Sequence, residues 1–301
     1  MHFPHGIVNV AQGAQFAQEG SKMIPRVEIA KSNKALIAEI DETATPDGKG
    51  AFWWLGQHSF IVKAGGKTIY IDPFLAEWES RQTPPLLKPE EVTNANIVLV
   101  THGHGDHLDP FALKGILSAS PEALFINPKT EAERMRNECG VPANRMSSLS
   151  AGDSVRVSGV EISAIKSKHE SFDEHPTLGF PYLGYVVEVG GVSFYHSGDT
   201  ILYDGLLNYL KAWKRFDAIF LPINGRDAER FLSGCLGNFT FQEAVELCGE
   251  LRPGLAVPAH YDMFLGNQEN PAKFTRYLEA KFPDVPHWAG RAGEKVLFGE
   301  V

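Results

Sequence analysis

The stretch that decides the fold of this chain is Thr101-His102-Gly103-His104-Gly105-Asp106-His107-Leu108-Asp109-Pro110. It places three histidines and an aspartate within six positions, directly after the apolar run 97–100. A buried strand therefore delivers imidazoles and a carboxylate to one point. Imidazole nitrogens and carboxylate oxygens are the ligands that zinc and neighbouring divalent metals accept. The glycines allow the sharp turns that bring these side chains together, and the stretch predicts a metal site.

Length and composition are those of an ordinary globular protein. The chain has 301 residues, of which 43% are hydrophobic and 22% charged, which is enough for one large domain or two closely packed ones. The sequence shows neither an apolar run of membrane-spanning length nor a signal-peptide pattern at its N-terminus. Its 3 cysteines are widely spaced, which fits a reducing compartment. We therefore expect a cytoplasmic protein without a membrane span.

The charge balance disfavours nucleic acid as a partner. The formal net charge is -9, from 28 Lys and Arg against 37 Asp and Glu, and no dense basic stripe interrupts it. Such a surface opposes binding along a phosphate backbone. A small anionic substrate remains compatible, because one or two local cations are enough to bind it.

The chain divides into an N-terminal extension and a main domain. Residues 1–50 have few apolar residues and end in Thr45-Pro46-Asp47-Gly48-Lys49-Gly50, a turn or linker pattern. We expect this extension to form one or two helices and to pack on the main domain or on a neighbouring subunit. Residues 51–301 are rich in short apolar and β-branched runs and form the main domain.

The main domain is predicted to be α/β and rich in sheet. The predicted strands are 52–55, 59–63, 68–72, 97–100, 154–157, 160–166, 182–189, 192–196, 218–221 and 255–259. The predicted helices are 110–118, 130–138, 206–213, 241–250 and 271–281. Turns at Gly56-Gln57 and Gly65-Gly66 are typical of hairpins. Asp109 is expected to cap the first of these helices, with Pro110 at its first position.

The histidine-rich stretch resembles the His-x-His-x-Asp-His signature of the metallo-β-lactamase-fold hydrolases. Three later motifs of that superfamily follow predicted strands in the expected order: Lys168-His169-Glu170, His196-Ser197-Gly198-Asp199-Thr200 and Pro258-Ala259-His260-Tyr261. The resemblance covers residues 51–300. It implies a four-layer αββα sandwich, in which two mixed β-sheets are flanked by helices.

The resemblance also implies which residues bind metal. The first divalent ion would take His102, His104 and His169. The second would take Asp106, His107 and His260, with Asp199 between the two ions. Manganese and zinc are the candidate metals, and one ion would suffice if the second set is incomplete. A water shared by two cations loses a proton near neutral pH and becomes a nucleophile, and Asp106 and Asp199 are the predicted catalytic residues that orient it.

Several neighbouring residues have two interpretations each. Asp72 either braces the histidine-rich loop, as the resemblance implies, or belongs to an ordinary Asp-Pro turn. His169 has a rival in His175 on the same loop, and we favour His169 because it is nearer to the strand end. His196 is predicted to support the site or to pack rather than to bind metal. His260 is predicted to be a ligand rather than a core histidine.

Three residues are candidates for contact with the substrate, namely His58, Arg226 and Tyr261. His58 either lines the rim of the site or caps a hairpin. The Arg226 guanidinium either binds a substrate phosphate or carboxylate through two hydrogen bonds or forms a surface ion pair.

A finer resemblance bears on the substrate. The motifs Trp53-Trp54-Leu55-Gly56, Tyr70-Ile71-Asp72-Pro73-Phe74 and Pro222-Ile223-Asn224-Gly225-Arg226 resemble those of the L-ascorbate-6-phosphate lactonase branch. That branch implies a cytoplasmic, manganese-dependent homo-oligomer that hydrolyses a small sugar-type lactone, with or without a phosphate. Fold and metal alone do not fix the substrate.

The alternatives are other uses of the same centre. The run from Thr83 to Pro89 and the His58-Ser59 pair also resemble the N-acyl-phosphatidylethanolamine phospholipase D relatives, which implies a phosphodiesterase. A non-catalytic metal-binding protein would have lost ligand positions, and none is lost here. A redox variant with non-haem iron would need an appended flavin domain, for which the chain has no room.

Overall fold

Two mixed β-sheets form the centre of the protein, whose computed structural model describes residues 26–299. The strands of the first sheet are β1 (Lys49–Trp54), β2 (Phe60–Ala64), β3 (Lys67–Ile71), β4 (Ile97–Leu99), β5 (Leu124–Pro128), β6 (Met146–Leu149) and β13 (Lys295–Gly299). The strands of the second are β7 (Ser154–Val157), β8 (Val160–Lys166), β9 (Leu183–Val189), β10 (Val192–His196), β11 (Ala218–Pro222) and β12 (Ala256–Ala259). Their orders are β13-β1-β2-β3-β4-β5-β6 and β12-β11-β10-β9-β8-β7.

Each sheet combines an antiparallel part with a parallel part. In the first, β13, β1, β2 and β3 pair antiparallel, whereas β3 to β6 pair parallel. In the second, β7 to β10 pair antiparallel and β10 to β12 pair parallel. Tight two-residue turns join the hairpins at Gly65-Gly66 and Gly190-Gly191, and all four glycines have positive φ, as such turns require. The predicted fold class of two mixed sheets with flanking helices is confirmed.

Helices flank the sheets. They are α1 (Asn33–Glu42), α2 (Pro110–Ala119), α3 (Ala132–Asn137), α4 (Leu206–Leu210), α5 (Ala228–Leu232), α6 (Phe241–Leu251) and α7 (Pro271–Lys281). The predicted cap of α2 is confirmed, because Asp109 Oδ1 accepts hydrogen bonds from the Phe111 and Ala112 amides. None of the helices within residues 26–299 is long and apolar enough to cross a membrane.

The predicted N-terminal extension is described from Arg26 onward, and residues 1–25 lie outside the described part. Its described part contains α1, which buries Leu36, Ile37 and Ile40 in the main core. The Trp53 indole also donates a hydrogen bond to Glu39 on this helix, at 3.1 Å. This part of the extension therefore packs on the main domain.

Strand direction decides where the polar motifs meet. In the second sheet β8, β10 and β12 all run the same way, because β9 is antiparallel to both β8 and β10 while β10, β11 and β12 are parallel. Their carboxyl ends, which precede His169, Asp199 and His260, therefore lie at one edge. In the first sheet β3 is parallel to β4, so Asp72 lies beside the start of the histidine-rich loop.

Candidate metal centre

The His loop, residues 101–107, follows β4 and folds back on itself. The amides of His107 and Leu108 donate to the His104 carbonyl at 3.0 and 2.7 Å. His102 Nε2 lies 2.9 Å from His104 Nδ1, and His107 Nε2 lies 3.6 Å from Asp106 Oδ2. The loop thus points the donor atoms of four side chains toward a common centre.

Three later strand ends bring His169, Asp199 and His260 to the same centre. Asp199 Oδ2 lies 3.0 Å from His260 Nε2 and 3.6 Å from His169 Nε2. Its other oxygen, Oδ1, lies 3.5 Å from His107 Nε2. The structure therefore brings together all seven residues that were predicted as ligands, with Asp199 in the middle.

The donor atoms form three groups that could each hold a metal ion. Within each group, the atoms lie within 4.8 Å of one another. The groups are His102, His104 and His169; His102, His107 and Asp199; and Asp106, His107 and His260. His107 Nε2 is buried without a hydrogen-bond partner among the described residues, which is costly unless another partner occupies that position. Imidazole and carboxylate donors at this spacing fit divalent zinc or manganese.

Asp72 braces the His loop at the end of β3. Its Oδ2 accepts a hydrogen bond from His107 Nδ1 at 2.7 Å and one from the Thr101 hydroxyl at 2.6 Å, and its Oδ1 accepts from the Thr101 amide at 2.7 Å. Bonding at Nδ1 leaves Nε2 of His107 to face the centre, which is how carboxylates commonly orient histidine ligands. Asp72 itself has a φ of 46°, a conformation that costs free energy and clusters at functional sites.

The structure gives the two loop glycines a different explanation from the expected sharp turns. Neither Gly103 nor Gly105 has a positive φ. A Cβ at Gly103 would lie 2.6 Å from Glu131 Oε2, and one at Gly105 would lie 2.9 Å from the Trp78 indole. The close approach of these two side chains, and not a special backbone conformation, therefore favours glycine in the loop.

Gln57 is a site residue that sequence reasoning missed. Its side-chain amide donates to Asp106 Oδ2 at 2.7 Å and lies 3.0 Å from His260 Nε2. The backbone carbonyl of Gln57 accepts a hydrogen bond from the His260 backbone amide at 2.9 Å, and the backbone amide of Gln57 donates one to the Asp262 carboxylate. Gln57 therefore connects the β1–β2 turn to two members of the group formed by Asp106, His107 and His260. The only signal in the sequence was a polar side chain in a turn, which is too common to single it out.

Asn238 and Gly237 were missed as well. The Asn238 side-chain amide donates to Asp199 Oδ2 at 3.0 Å and to Asn224 Oδ1 at 3.1 Å. The Gly237 carbonyl accepts from His169 Nδ1 at 2.9 Å, which leaves His169 Nε2 to face the centre. Both residues lie between α5 and α6, where no sequence pattern pointed to them.

The structure separates the two candidate histidines of the loop after β8. His169 is buried and belongs to a metal-binding group. His175 is exposed, and its Nδ1 accepts hydrogen bonds from the Thr177 and Leu178 amides at 3.2 Å. The geometry thus supports the choice of His169.

His58 and His196 lie behind the centre as a buried pair. Their ring centroids are 4.0 Å apart, and His196 Nε2 donates to the His58 carbonyl at 2.9 Å. His58 Nδ1 lies 3.4 Å from Asp199 Oδ1. Burial lowers the pKa of His58 to about 4, although Asp199 opposes the shift. His58 is thus fully buried behind the site rather than on an exposed rim.

The side chains of Arg226 and Tyr261 contact other residues of the protein than the predicted ligands. The Arg226 guanidinium pairs with both oxygens of Glu243 at 2.7 and 2.6 Å and donates to the Asn238 carbonyl at 3.1 Å. This is the ion-pair alternative of the sequence analysis. Tyr261 is buried, and its ring packs on Trp54 at 5.1 Å between centroids. Contact of either residue with substrate stays a prediction.

Electrostatics divide the histidines into two kinds. Burial lowers the pKa values of His102, His104 and His169, so their imidazoles are neutral and available as ligands. Burial also opposes charge on His107, but the carboxylates of Asp199, Asp106 and Asp72 outweigh it and raise its pKa well above the ordinary value. The carboxylates around His107 thus favour positive charge at this point of the site, as they would favour a bound cation.

The Asp199 carboxylate is the negatively charged counterpart of His107. Burial favours its neutral form, but His260 and His107 lower its pKa well below the ordinary value of an aspartate. The side chain is 3% exposed, and a buried carboxylate of this kind is stable only when cations or strong donors surround it. The centre is therefore built to keep Asp199 ionised.

Comparison with known proteins agrees with this geometry. Residues 51–260 match the family described as "Beta-lactamase superfamily domain". A UPF0173 metal-dependent hydrolase of Methanoculleus marisnigri is 32% identical over 232 residues, which cover 75% of this chain and 87% of the relative. One of Thermococcus kodakarensis is 30% identical over 230 residues, with 76% and 92% covered. The solved structure of Igni18, a metallo hydrolase from Ignicoccus hospitalis, has a TM-score of 0.65 at 21% identity and covers 84% of this chain and 100% of its own.

The fold and the site together define a metal-dependent hydrolase of the metallo-β-lactamase fold. The chain belongs to the beta-lactamase superfamily, and within it to the UPF0173 metal-dependent hydrolases.

Proposed function

We propose that the protein is a dinuclear metal-dependent hydrolase that opens a small sugar-type lactone, with or without a phosphate. The observation that carries the dinuclear part is the position of Asp199, which lies 3.0 Å from His260 Nε2, 3.5 Å from His107 Nε2 and 3.6 Å from His169 Nε2. One carboxylate is thus within reach of two separate three-residue groups. The lactone rests on the motif resemblance, while the relatives' names support metal dependence and hydrolysis.

The proposed ligands form two sets, one for each ion. One ion would be held by His102, His104 and His169. The other would be held by Asp106, His107 and His260, with Asp199 shared between them. When bound, the ions would supply Lewis acidity and make a water molecule easier to deprotonate.

The chain's own groups orient the water and take its proton. Asp106 is held by the Gln57 amide and Asp199 by the Asn238 amide, so both carboxylates have fixed directions. Either carboxylate would accept the water proton as a general base. The hydroxyl adds to the carbonyl carbon of the lactone, the ring C–O bond breaks, and the proton passes to the departing oxygen.

The experiment measures metal content and substrate together. Purified protein is stripped with a chelator and reloaded with Mn²⁺ or Zn²⁺. Its metal content is then determined by mass spectrometry, and it is assayed on a lactone panel and on bis-p-nitrophenyl phosphate. We expect two ions per chain and lactone hydrolysis that returns with the metal. One ion or fewer after reloading would contradict the dinuclear site, and activity on the diester alone would replace the lactonase by the phosphodiesterase.

Two further expectations belong to this proposal, namely a cytoplasmic location and a homo-oligomer. The homo-oligomer rests on the resemblance to the lactonase branch, and the cytoplasmic location rests on that resemblance and on the widely spaced cysteines. Light scattering coupled to size-exclusion chromatography tests the second, and a monomeric mass at micromolar concentration would contradict it.

A further inference from the structure

The ring of Tyr182 lies over one group of predicted ligands. Its centroid is 5.4 Å from that of His169, 5.6 Å from that of His102 and 6.0 Å from that of His104. These three histidines form one of the groups that could hold a metal ion. Because the three distances are nearly equal, the phenol ring lies over the middle of the group rather than beside a single imidazole.

Backbone hydrogen bonds fix this position. Tyr182 directly precedes β9, and its carbonyl accepts a hydrogen bond from the Ser167 amide at 3.0 Å. The next amide along the chain, that of Leu183, donates to the Thr101 carbonyl at 3.0 Å. Ser167 and Thr101 each lie just before histidines of the group. Tyr182 is therefore held between the two segments that carry these ligands.

The Tyr182 side chain is only half-buried. The same holds for His104, whereas the other two histidines of the group are buried. Burial and the nearby Asp173 carboxylate raise the pKa of Tyr182 to about 12, so the phenol is neutral. Within residues 26–299, Tyr182 is the one tyrosine, phenylalanine or tryptophan whose ring contacts these histidines. Since the ring lies over the group and is partly open to solvent, a substrate bound at the group would touch it.

We propose that Tyr182 is a substrate-positioning residue, whose ring packs on the carbon–hydrogen face of the sugar-type lactone while the lactone carbonyl lies at the ligand group. The inference rests on the proposed function and adds a residue that determines how the substrate binds. An aromatic ring offers a large apolar surface with a negative face, which suits the weakly positive C–H groups of a sugar ring.

Two variants separate the ring of Tyr182 from its hydroxyl. Manganese-loaded protein is assayed on D-glucono-δ-lactone. Tyr182→Leu keeps an apolar side chain without the aromatic face and should raise KM by roughly threefold to tenfold, with a much smaller change in kcat. Tyr182→Phe keeps the ring and should bring KM back close to the wild-type value. Tyr209→Leu is the matched control, because Tyr209 is 51% exposed on α4 and, within residues 26–299, its ring contacts none of the predicted ligands.

A merely structural role would give another pattern. If Tyr182 only packs against the histidines, Tyr182→Leu should lower the bound metal and kcat and leave KM unchanged. That result would overturn the inference. An equal rise of KM in Tyr182→Phe and Tyr182→Leu would also overturn it, because the hydroxyl and not the ring would then bind the substrate.

A second measurement does not need activity. Calorimetric titration with D-glucono-δ-lactam, a cyclic amide that resists hydrolysis, should show binding that weakens in Tyr182→Leu by the same factor as KM rises and persists in Tyr182→Phe. If no lactone is hydrolysed, the proposed function fails, and the titration alone decides the inference. Equal affinity in wild type and Tyr182→Leu, or no binding to either, would contradict a contact between Tyr182 and the sugar ring.

Discussion

The two halves of the metal centre are held in different ways. In the first half, four donor side chains come from one loop of seven residues, and the buried Asp72 carboxylate holds that loop through Thr101 and His107. In the second half, His169, Asp199 and His260 each follow a different strand, and neutral groups hold them. These are the Gly237 carbonyl, the Asn238 amide and Gln57. The first half depends on one charged brace, whereas the second depends on the packing of a whole sheet.

Asp199 follows a strand of the second half but lies close to donor atoms of both halves, namely His107 Nε2 in the first and His169 Nε2 and His260 Nε2 in the second, so its loss should have the largest effect. We expect Asp199→Asn to lower kcat/KM by roughly 100- to 1,000-fold, the size of effect found when a strong electrostatic group is removed from an active site, and to reduce the bound metal. Metal analysis and kinetics on the same preparation check both. Near-wild-type activity would contradict a shared role for Asp199.

His169→Ala should rank next, because it removes one nitrogen from the first group. We expect metal content to fall by about one ion per chain and activity to fall by at least roughly tenfold. His175→Ala is the matched control from the same loop, since His175 is exposed and, within residues 26–299, its ring hydrogen-bonds only to Thr177 and Leu178 of that loop. If the two variants lose metal equally, His169 is not the ligand.

Substitution of one supporting residue in each half tests whether the first half depends on a charge and the second on neutral hydrogen bonds. Asp72→Asn removes the charge that orients His107, and changes of this kind cost roughly 10- to 100-fold in metal affinity or activity. Asn238→Ala removes a neutral hydrogen bond to Asp199 and should cost less, about threefold to tenfold. Competition with a chelator ranks the two. A larger loss in Asn238→Ala would reverse the proposed division between charged and neutral bracing.

The same division explains how much the sequence could predict. The His loop is local, so its residue types and the preceding strand indicated both a metal site and the fold. The strands from Ser154 to Ala259 and the helices α2, α6 and α7 were predicted to within about two residues, because their apolar patterns are regular. The three later predicted ligands were found through motif resemblance at strand ends, and the structure places these side chains close to the His loop.

The elements and site residues that the sequence did not predict have weak local patterns or depend on contacts between distant parts of the chain. Strands β5, β6 and β13 and the short helix α5 were missed. Leu124–Pro128 begins with three consecutive apolar residues, and Met146–Leu149 has two serines between its apolar ends, so neither shows the alternation that marks a strand. The helix predicted over 206–213 ends at Leu210, and that over 130–138 is a 3₁₀ turn followed by Ala132–Asn137. Gln57 and Asn238 reach the centre only through tertiary contacts.

Removal of the ion pair between Arg226 and Glu243 should have the smallest effect, and it tests how the second half is supported. Arg226 Nη1 also donates to the Asn238 carbonyl, so the pair supports the segment that holds Asp199 and His169. Because both side chains are partly exposed, Arg226→Ala and Glu243→Gln should each lower the free energy of unfolding by only about 1 kcal/mol at neutral pH. Denaturant unfolding measures this.

The pH dependence of that effect follows from the pKa of Glu243. Burial opposes ionisation, but hydrogen bonds from Arg226 and the Thr240 amide prevail and lower the pKa in the folded protein. The pair therefore stabilises fully above the ordinary pKa of a glutamate, about 4.3, and its contribution disappears as the pH falls through the lower folded value. We expect wild type and Glu243→Gln to differ at pH 7 and to converge in acid. Should Arg226→Ala instead raise KM for anionic substrates while Glu243→Gln does not, Arg226 would contact substrate rather than only support Asn238.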